Sequence, residues 1–354
     1  MGPSPVFFDL TGRGAVILTG KDRASFLHGL VTNDIKKLTP GTGCAAAFLT
    51  PKGKLLADCV VLCEEDRLEI DCEPELARKI EDLLRKYLVF NEIQIGNLTS
   101  ETAVFHLQHS AAGDAVEELL GKVIEKEPDR AGAGGTWPRQ AHAHVTARLT
   151  AADPLFTFKE NPVPPAAPQS AGDEEGIPIR LISESRTLFH GYDLRFPRSR
   201  AEAVRKALFT AGAQPAPLER LEALRIEAGI PRWGFELTEA VLPDEAGLRE
   251  RGFISDNKGC YIGQETVARI KTYGHVNRNL VRLLLEGEAP ASGSEIFFEG
   301  ENAGAVTSAS RTAGSGPATA LGYVRRERAA PGTRLLVRTR AGDRPATVSE
   351  LPVS

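Results

Sequence analysis

Lys258-Gly259-Cys260-Tyr261-Ile262-Gly263-Gln264-Glu265 places one thiol in a glycine-flanked turn, and Thr266-Val267-Ala268-Arg269-Ile270-Lys271 continues it with further cationic side chains. Gly259 and Gly263 give the backbone freedom that a tight, approachable loop requires. A thiol beside Lys258, Arg269 or Lys271 ionises more readily where the fold brings those charges close, and the thiolate is both the nucleophile and the metal ligand. Taken alone, the same residues also describe a buried cysteine in an ordinary turn, because free cysteine packs as a small hydrophobe. Gln264 and Glu265 orient the loop or a partner, or else they open a helix near Glu265 that Arg269 and Lys271 merely solvate.

Around this segment the composition is that of a soluble globular chain: 354 residues, 42% apolar and 25% charged, enough for two or three cooperating units. The net charge of −4 offers no global attraction to nucleic acid. Any RNA contact would have to come from a local basic patch, such as one containing Arg198, Arg200, Arg205 and Lys206. The first residues lack the basic-then-apolar plan of an export signal, and no run is apolar enough to span a bilayer. Cysteines at 44, 59, 63, 72 and 260 form no CxxC pair, which fits a reducing compartment. A cytoplasmic protein without a membrane partner is expected.

Cys59 and Cys63 lie in a strand-like run and stand about 13 Å apart if it is extended, too far to chelate one metal. His142 and His144, two apart on a strand, would share a face, but no third ligand stands near and packing roles are favoured. Periodicity predicts a strand over 14–19, a short helix over 22–30, and an amphipathic helix over 75–87 with Leu76, Ile80, Leu83, Leu84 and Tyr87 on one side. Strands are predicted over 90–95 and 102–108, and helices over 199–211 and 216–227. Residues 131–135 are glycine-rich without the strand and helix that a dinucleotide site needs, and 161–177 read as a linker. From Arg278 onward, short apolar strands separated by Gly and Pro turns predict a small β barrel.

The string DNKGCYIGQETVARIKTYGHVNR, Asp256 to Arg278, closely resembles the signature of the YgfZ family. These are folate-binding proteins that support iron–sulfur proteins, and their mitochondrial relatives act in cluster assembly. Gly20 to Leu27 with Val31-Thr32-Asn33-Asp34-Ile35 is similar to the opening of that family and of its relative, the aminomethyltransferase of glycine cleavage. Leu224 to Pro231 with Gly234, Glu236 and Leu237 resembles the central family segment, and Gly304 to Ser308 with Ala320 to Arg325 resembles the C-terminal barrel. The resemblance implies an α+β, aminomethyltransferase-like folate-binding fold around a central channel with a C-terminal β barrel. The folate-binding region would span 1–277, as two subdomains with a loop near 161–177, and the barrel 278–354.

The cofactor implied is tetrahydrofolate or a one-carbon derivative, with no permanently bound metal. Its pocket needs an acceptor for the pterin's donor edge, flat apolar walls, and cations for the glutamate tail. A carboxylate suits the donor edge. Phe189-His190-Gly191-Tyr192-Asp193-Leu194 resembles the relative's Gly-Tyr-acid segment, with Asp193 where Glu is common. Arg225 resembles a folate-contacting arginine, or else forms an internal salt bridge with Glu227 or another acid. Tyr192, Trp233 and Phe235 would be ring walls or core. In Gly53-Lys54-Leu55-Leu56-Ala57-Asp58 the aminomethyltransferase has adjacent acids, one needed for transfer; here Ala57 fills the first place and only Asp58 remains. A methyl group cannot accept a proton or steer charge. The implied function is a folate-binding accessory protein for iron–sulfur enzymes, with client or assembly proteins as partners and Cys260 as reactive thiol. That thiol would be a transient ligand of iron or a cluster, or react with a folate one-carbon group. The alternative is a folate-dependent one-carbon transferase acting on an amine or in tRNA modification.

Overall fold

The computed structural model describes residues 4–108, 116, 118–120, 142–149, 177–311 and 317–352. In its N-terminal half the strands are β1 (Val6–Asp9), β2 (Gly14–Thr19), β3 (Gly43–Leu49), β4 (Leu55–Cys63), β5 (Arg67–Cys72), β6 (Gln94–Asn97) and β7 (Thr102–Gln108). Then come β8 (His144–Leu149), β9 (Ile177–Ser183), β10 (Gly191–Pro197) and β11 (Gln214–Pro215), and after these β12 (Arg278–Leu285), β13 (Glu295–Phe298), β14 (Glu301–Ser310), β15 (Ala318–Arg325), β16 (Arg334–Thr339) and β17 (Gly342–Ser349). The helices are α1 (Arg23–His28), α2 (Leu76–Tyr87), α3 (Ala201–Thr210), α4 (Leu218–Glu227) and α5 (Gln264–Tyr273). The chain weaves between two compact units: Met1–Arg23, Leu38–Gly43 and Val60–Leu218 make the first, and Ala24–Lys37, Cys44–Cys59 and Glu219–Ser354 the second.

The first unit is built on a six-stranded sheet ordered β11-β1-β7-β10-β9-β8. Strand alternation sends Ala103, Phe105 and Leu107 of β7 and Tyr192, Leu194 and Phe196 of β10 into one apolar core with Phe7, Ile179 and Leu181. His106, Asp193, Arg195 and Arg180 alternate with them and are buried as well. They meet polar and charged partners rather than oil. Arg180 reaches Glu64 at 2.5 Å and also Glu69; Arg195 bonds Glu69 and Asp71; Arg13 holds Asp71 at 2.5 Å and Glu73 at 2.6 Å. Helix α2 buries Leu76, Ala77, Ile80 and Leu84, while Leu83 and Tyr87 are only partly covered.

The expected strand over 90–95 begins later, as β6 at Gln94, and Phe90 is 94% exposed. The Glu92 amide donates to Asp22, Lys21 pairs with Glu92, and the Ile93 amide bonds Asn91, so this stretch turns before it can ladder. The two histidines do not share a strand either. His142 precedes β8 with φ of 61° and bonds Glu184 at 3.0 Å, while His144 faces Glu64 at 3.3 Å. The glycine-rich 131–135 and the linker 161–176 lie outside the described residues, and Ile177 already opens β9.

In the second unit, six strands close into a barrel, β12-β15-β14-β13-β16-β17, as the spacing from Arg278 predicts. Val281, Leu283, Leu285, Ile296, Val337 and Val348 fill it, and closure leaves no unpaired edge. A separate core gathers Ala47, Leu49, Leu55, Ile226, Leu237, Leu248, Tyr261 and Val267. It underlies the cysteine loop.

Candidate functional site

Cys260 is exposed, the one exposed cysteine among five; Cys44 is half-buried and Cys59, Cys63 and Cys72 are buried. Its neighbours on both sides are anchored. Lys258 before it and Tyr261 after it are each 8% exposed. The Lys258 ammonium donates to the carbonyls of His28 at 2.5 Å, Val31 at 2.5 Å and Asn33 at 3.0 Å, and lies 4.8 Å from the Tyr261 ring centroid. Burial pushes the Lys258 pKa down to about 8, with Asp34 opposing that shift. Burial likewise pushes the Tyr261 phenol up to about 12.

Gln264 fastens the turn from the other end. Its side-chain oxygen accepts from the Tyr261 amide at 3.4 Å and its own amide donates to the Tyr261 carbonyl at 3.2 Å. Gly263 begins α5 with φ of 86°, and a Cβ there would fall 2.5 Å from the Thr50 carbonyl oxygen. Only glycine allows the β3–β4 turn to seat so closely. The remaining charges point elsewhere. Arg269 pairs with Glu265 at 3.0 Å on the exposed face of α5, and Lys271 pairs with Asp256 at 2.8 Å. Asp256 also receives Arg249 at 2.5 Å. The loop is therefore a thiol on a short exposed apex, with its cations committed to carbonyls and carboxylates.

The same unit carries the β3–β4 hairpin, with Ala57 buried and Asp58 half-buried on β4. Trp233 is partly buried against the local core, and Phe235, 41% exposed, lies under Arg232 at 4.3 Å. Arg225 donates to Glu222 at 2.7 Å, to Glu236 at 2.9 Å, to Ser308 at 3.2 Å and to the Ile230 carbonyl. Its acids are thus Glu222 and Glu236, not Glu227. Burial works against the charged guanidinium, but these partners raise its pKa.

Asp193 belongs to the first unit, 3% exposed on β10. It accepts from Arg186 at 2.5 Å and pairs with the His106 Nδ1 at 2.7 Å; His106 in turn meets Gln108 at 3.1 Å. Burial alone would raise its pKa, yet the Arg186 charge and the His106 bond hold it well below the usual carboxylate range. Tyr192 is fully buried, edge-on to His190 at 4.8 Å, and serves the core.

A reduced pterin needs unspent acceptors and accessible rings. Asp193 has the right charge but its oxygens are engaged, Arg225 has spent its donors, and the Tyr192 ring is sealed. Trp233 and Phe235 are the aromatic candidates left with exposed surface. His106 and Arg186 were not singled out by sequence, and Glu236 was quoted only within a family string; each gains meaning from the partner that the fold supplies. Thr32 and Asn33, quoted only within a family string, also matter: Thr32 donates to the Phe253 carbonyl at 2.6 Å, and Asn33 to those of Ala45 at 2.7 Å and Gly252 at 2.8 Å. Small polar residues between Val31 and Ile35 were the available signal. Among the described residues no group of three or more His, Cys, Asp or Glu side chains gathers to hold a metal.

Comparison with known proteins adds the lineage of this architecture. The GCVT N-terminal domain matches residues 4–132, and the glycine cleavage T-protein C-terminal barrel domain matches residues 278–354. A chloroplastic protein of Arabidopsis thaliana, provisionally named a transferase, is 29% identical over 98% of this chain and 71% of its own length. An aminomethyltransferase of Desulforamulus reducens is 28% identical over 90% of this chain and 78% of its own. The crystal structure of the glycine cleavage system aminomethyltransferase T from Bartonella henselae matches with a TM-score of 0.73 at 18% identity, covering 100% of this chain and 87% of that one. The chain therefore has the aminomethyltransferase-like fold of the glycine cleavage T-protein family, an N-terminal domain of that type together with the family's C-terminal six-stranded barrel.

Proposed function

We propose that this chain binds tetrahydrofolate or a one-carbon derivative of it and serves the maturation or repair of iron–sulfur enzymes, with Cys260 as the acting group. The observation that carries this reading is the exposed Cys260 on a loop anchored at both ends, in a fold of the aminomethyltransferase type. An exposed thiol, acting in its deprotonated form, suits transient ligation of iron or of a cluster, and equally bonding to a folate-borne one-carbon unit with the folate nitrogen leaving and taking a proton from solvent. Ala57 supports an accessory role over glycine-cleavage chemistry, because it offers no acid where the aminomethyltransferase keeps one. Folate supplies the one-carbon group or a reduced ring when bound; the protein's part is to present the thiol and fix its approach. Its partners would be iron–sulfur client or assembly proteins, and its place the cytoplasm. Among the described residues no helix is long and apolar enough to cross a membrane.

The second reading, a folate-dependent one-carbon transferase acting on an amine or on a tRNA base, is favoured by relatives named aminomethyltransferase across 90% or more of this chain. A strain carrying Cys260→Ala separates the two. Loss of iron–sulfur enzyme activities with unchanged glycine-cleavage flux supports the accessory role; lost flux with intact iron–sulfur enzymes supports the transferase.

A further inference from the structure

The geometry points to Lys258 as a positioning residue for Cys260: its ammonium group, bonded to the main-chain carbonyls of His28, Val31 and Asn33, locks the cysteine loop onto the 28–34 turn. The inference rests on the reading above that Cys260 is the acting group. A lysine ammonium carries three N–H donors and no acceptor. Here all three donors have carbonyl partners, so none is left for a thiolate at Cys260. The residue that the sequence offers as a cationic activator is, in three dimensions, a structural pin.

What it is pinned to is itself immobilised. The Thr32 hydroxyl donates to the Phe253 carbonyl and accepts from the Ala47 amide at 2.9 Å, and the Thr32 carbonyl accepts from the Ser255 amide at 3.1 Å. Asn33 bonds the carbonyls of Ala45 and Gly252. The 28–34 turn is thereby tied to β3 and to the irregular segment 252–255 before Lys258 adds its three bonds. Cys260 stands two residues beyond that fixed point and one residue before buried Tyr261. Two anchors leave the backbone of the apex little freedom, and Cys260 is exposed on it. The His28 carbonyl is one of the three acceptors, and the His28 Nε2 is the nearest atom, at 3.8 Å, to where a Cβ on Gly259 would lie.

The shape of the donor group makes the idea specific. An ammonium aims three rotatable donors from a single point, whereas a guanidinium is a planar fork built for paired acceptors. Arginine therefore keeps the charge and loses the fit. The experiment compares the full-length protein with Lys258→Met and Lys258→Arg by amide hydrogen exchange. The Ser255 and Tyr261 amides, bonded to the Thr32 carbonyl and the Gln264 side-chain oxygen, are expected to exchange about tenfold faster or more in both variants while the melting transition stays cooperative. Unchanged protection in the Met variant, or protection restored by Arg, overturns the clamp.

A second readout tests the bonds themselves. In the unaltered protein labelled with isotopic lysine, scalar couplings across the hydrogen bonds from Lys258 Nζ to the carbonyl carbons of His28, Val31 and Asn33 are expected. Their absence overturns the clamp even if neither variant folds. Titration of tetrahydrofolate into the same samples keeps the two claims apart: couplings without folate binding uphold the clamp and remove the folate reading.

Discussion

Gly263 is defined by an atom it lacks. A side chain there would run into the Thr50 carbonyl oxygen at 2.5 Å and the Leu49 Cβ at 2.9 Å, at a positive φ that L residues resist. Gly263→Ala is expected to destabilise the protein by about 2–4 kcal/mol, measured by urea unfolding, because the obstacles are backbone and core. A neutral result would mean that the β3–β4 turn does not pack as described. Cysteine chemistry sorts in the same local way. Burial pushes the Cys44 thiol up to about 12, and Cys59, Cys63 and Cys72 are covered. Iodoacetamide at neutral pH is therefore expected to label Cys260 first, with the other four modified appreciably only after unfolding, as peptide mass spectrometry would show. The sequence made Cys260 legible as a loop thiol. It could not tell that Lys258 turns inward to carbonyls 225 to 230 residues away along the chain, because no local pattern encodes such acceptors.

At the scale of elements, period-2 and period-3.6 patterns sufficed wherever one face met oil. They located α2, β7 and the barrel strands, and they failed at 90–95, where Phe90, Ile93 and Ile95 among polar residues concealed a turn fixed by Asp22 and Glu92. They also could not anticipate the ionic face of the first unit's sheet. Arg195 and Glu69 stand 126 positions apart in sequence, and only the fold makes them partners. Arg195→Met leaves Glu69 and Asp71 short of a buried cation and is expected to cost about 3–5 kcal/mol in urea unfolding. The same face sets an acid limit. Burial acts to raise the Glu69 pKa, but Arg180 and Arg195 outweigh it and bring the value from 4.5 to about 2. A carboxylate lowered in the folded state stabilises above its unfolded pKa and loses that contribution as pH falls through the folded one. Stability from Glu69 is then whole above about pH 4.5 and fades toward pH 2. Glu69→Gln, although less stable at neutral pH, is expected to show a shallower decline across that window; an unchanged slope would contradict the assignment.

At the scale of the whole molecule, the chain passes more than once between two compact units. A division at Arg278 isolates the barrel strands, whereas the second compact unit also takes in residues 24–37, 44–59 and 219 onward. Chain order hides this, because the cysteine loop finds its supports near the N-terminus. The folate residues carried over by resemblance were the least legible part. Asp193, Tyr192 and Arg225 are present, but whether a polar group is spent inside or offered to a ligand depends on partners that lie elsewhere in the chain. Folate binding is thus the claim on which the functional account turns, and it is directly measurable. Calorimetric titration of tetrahydrofolate into the full-length protein under anaerobic conditions is predicted to give saturable heat with one site per chain. A flat titration at millimolar ligand would contradict the account and leave the chain a scaffold that retains the fold without the cofactor.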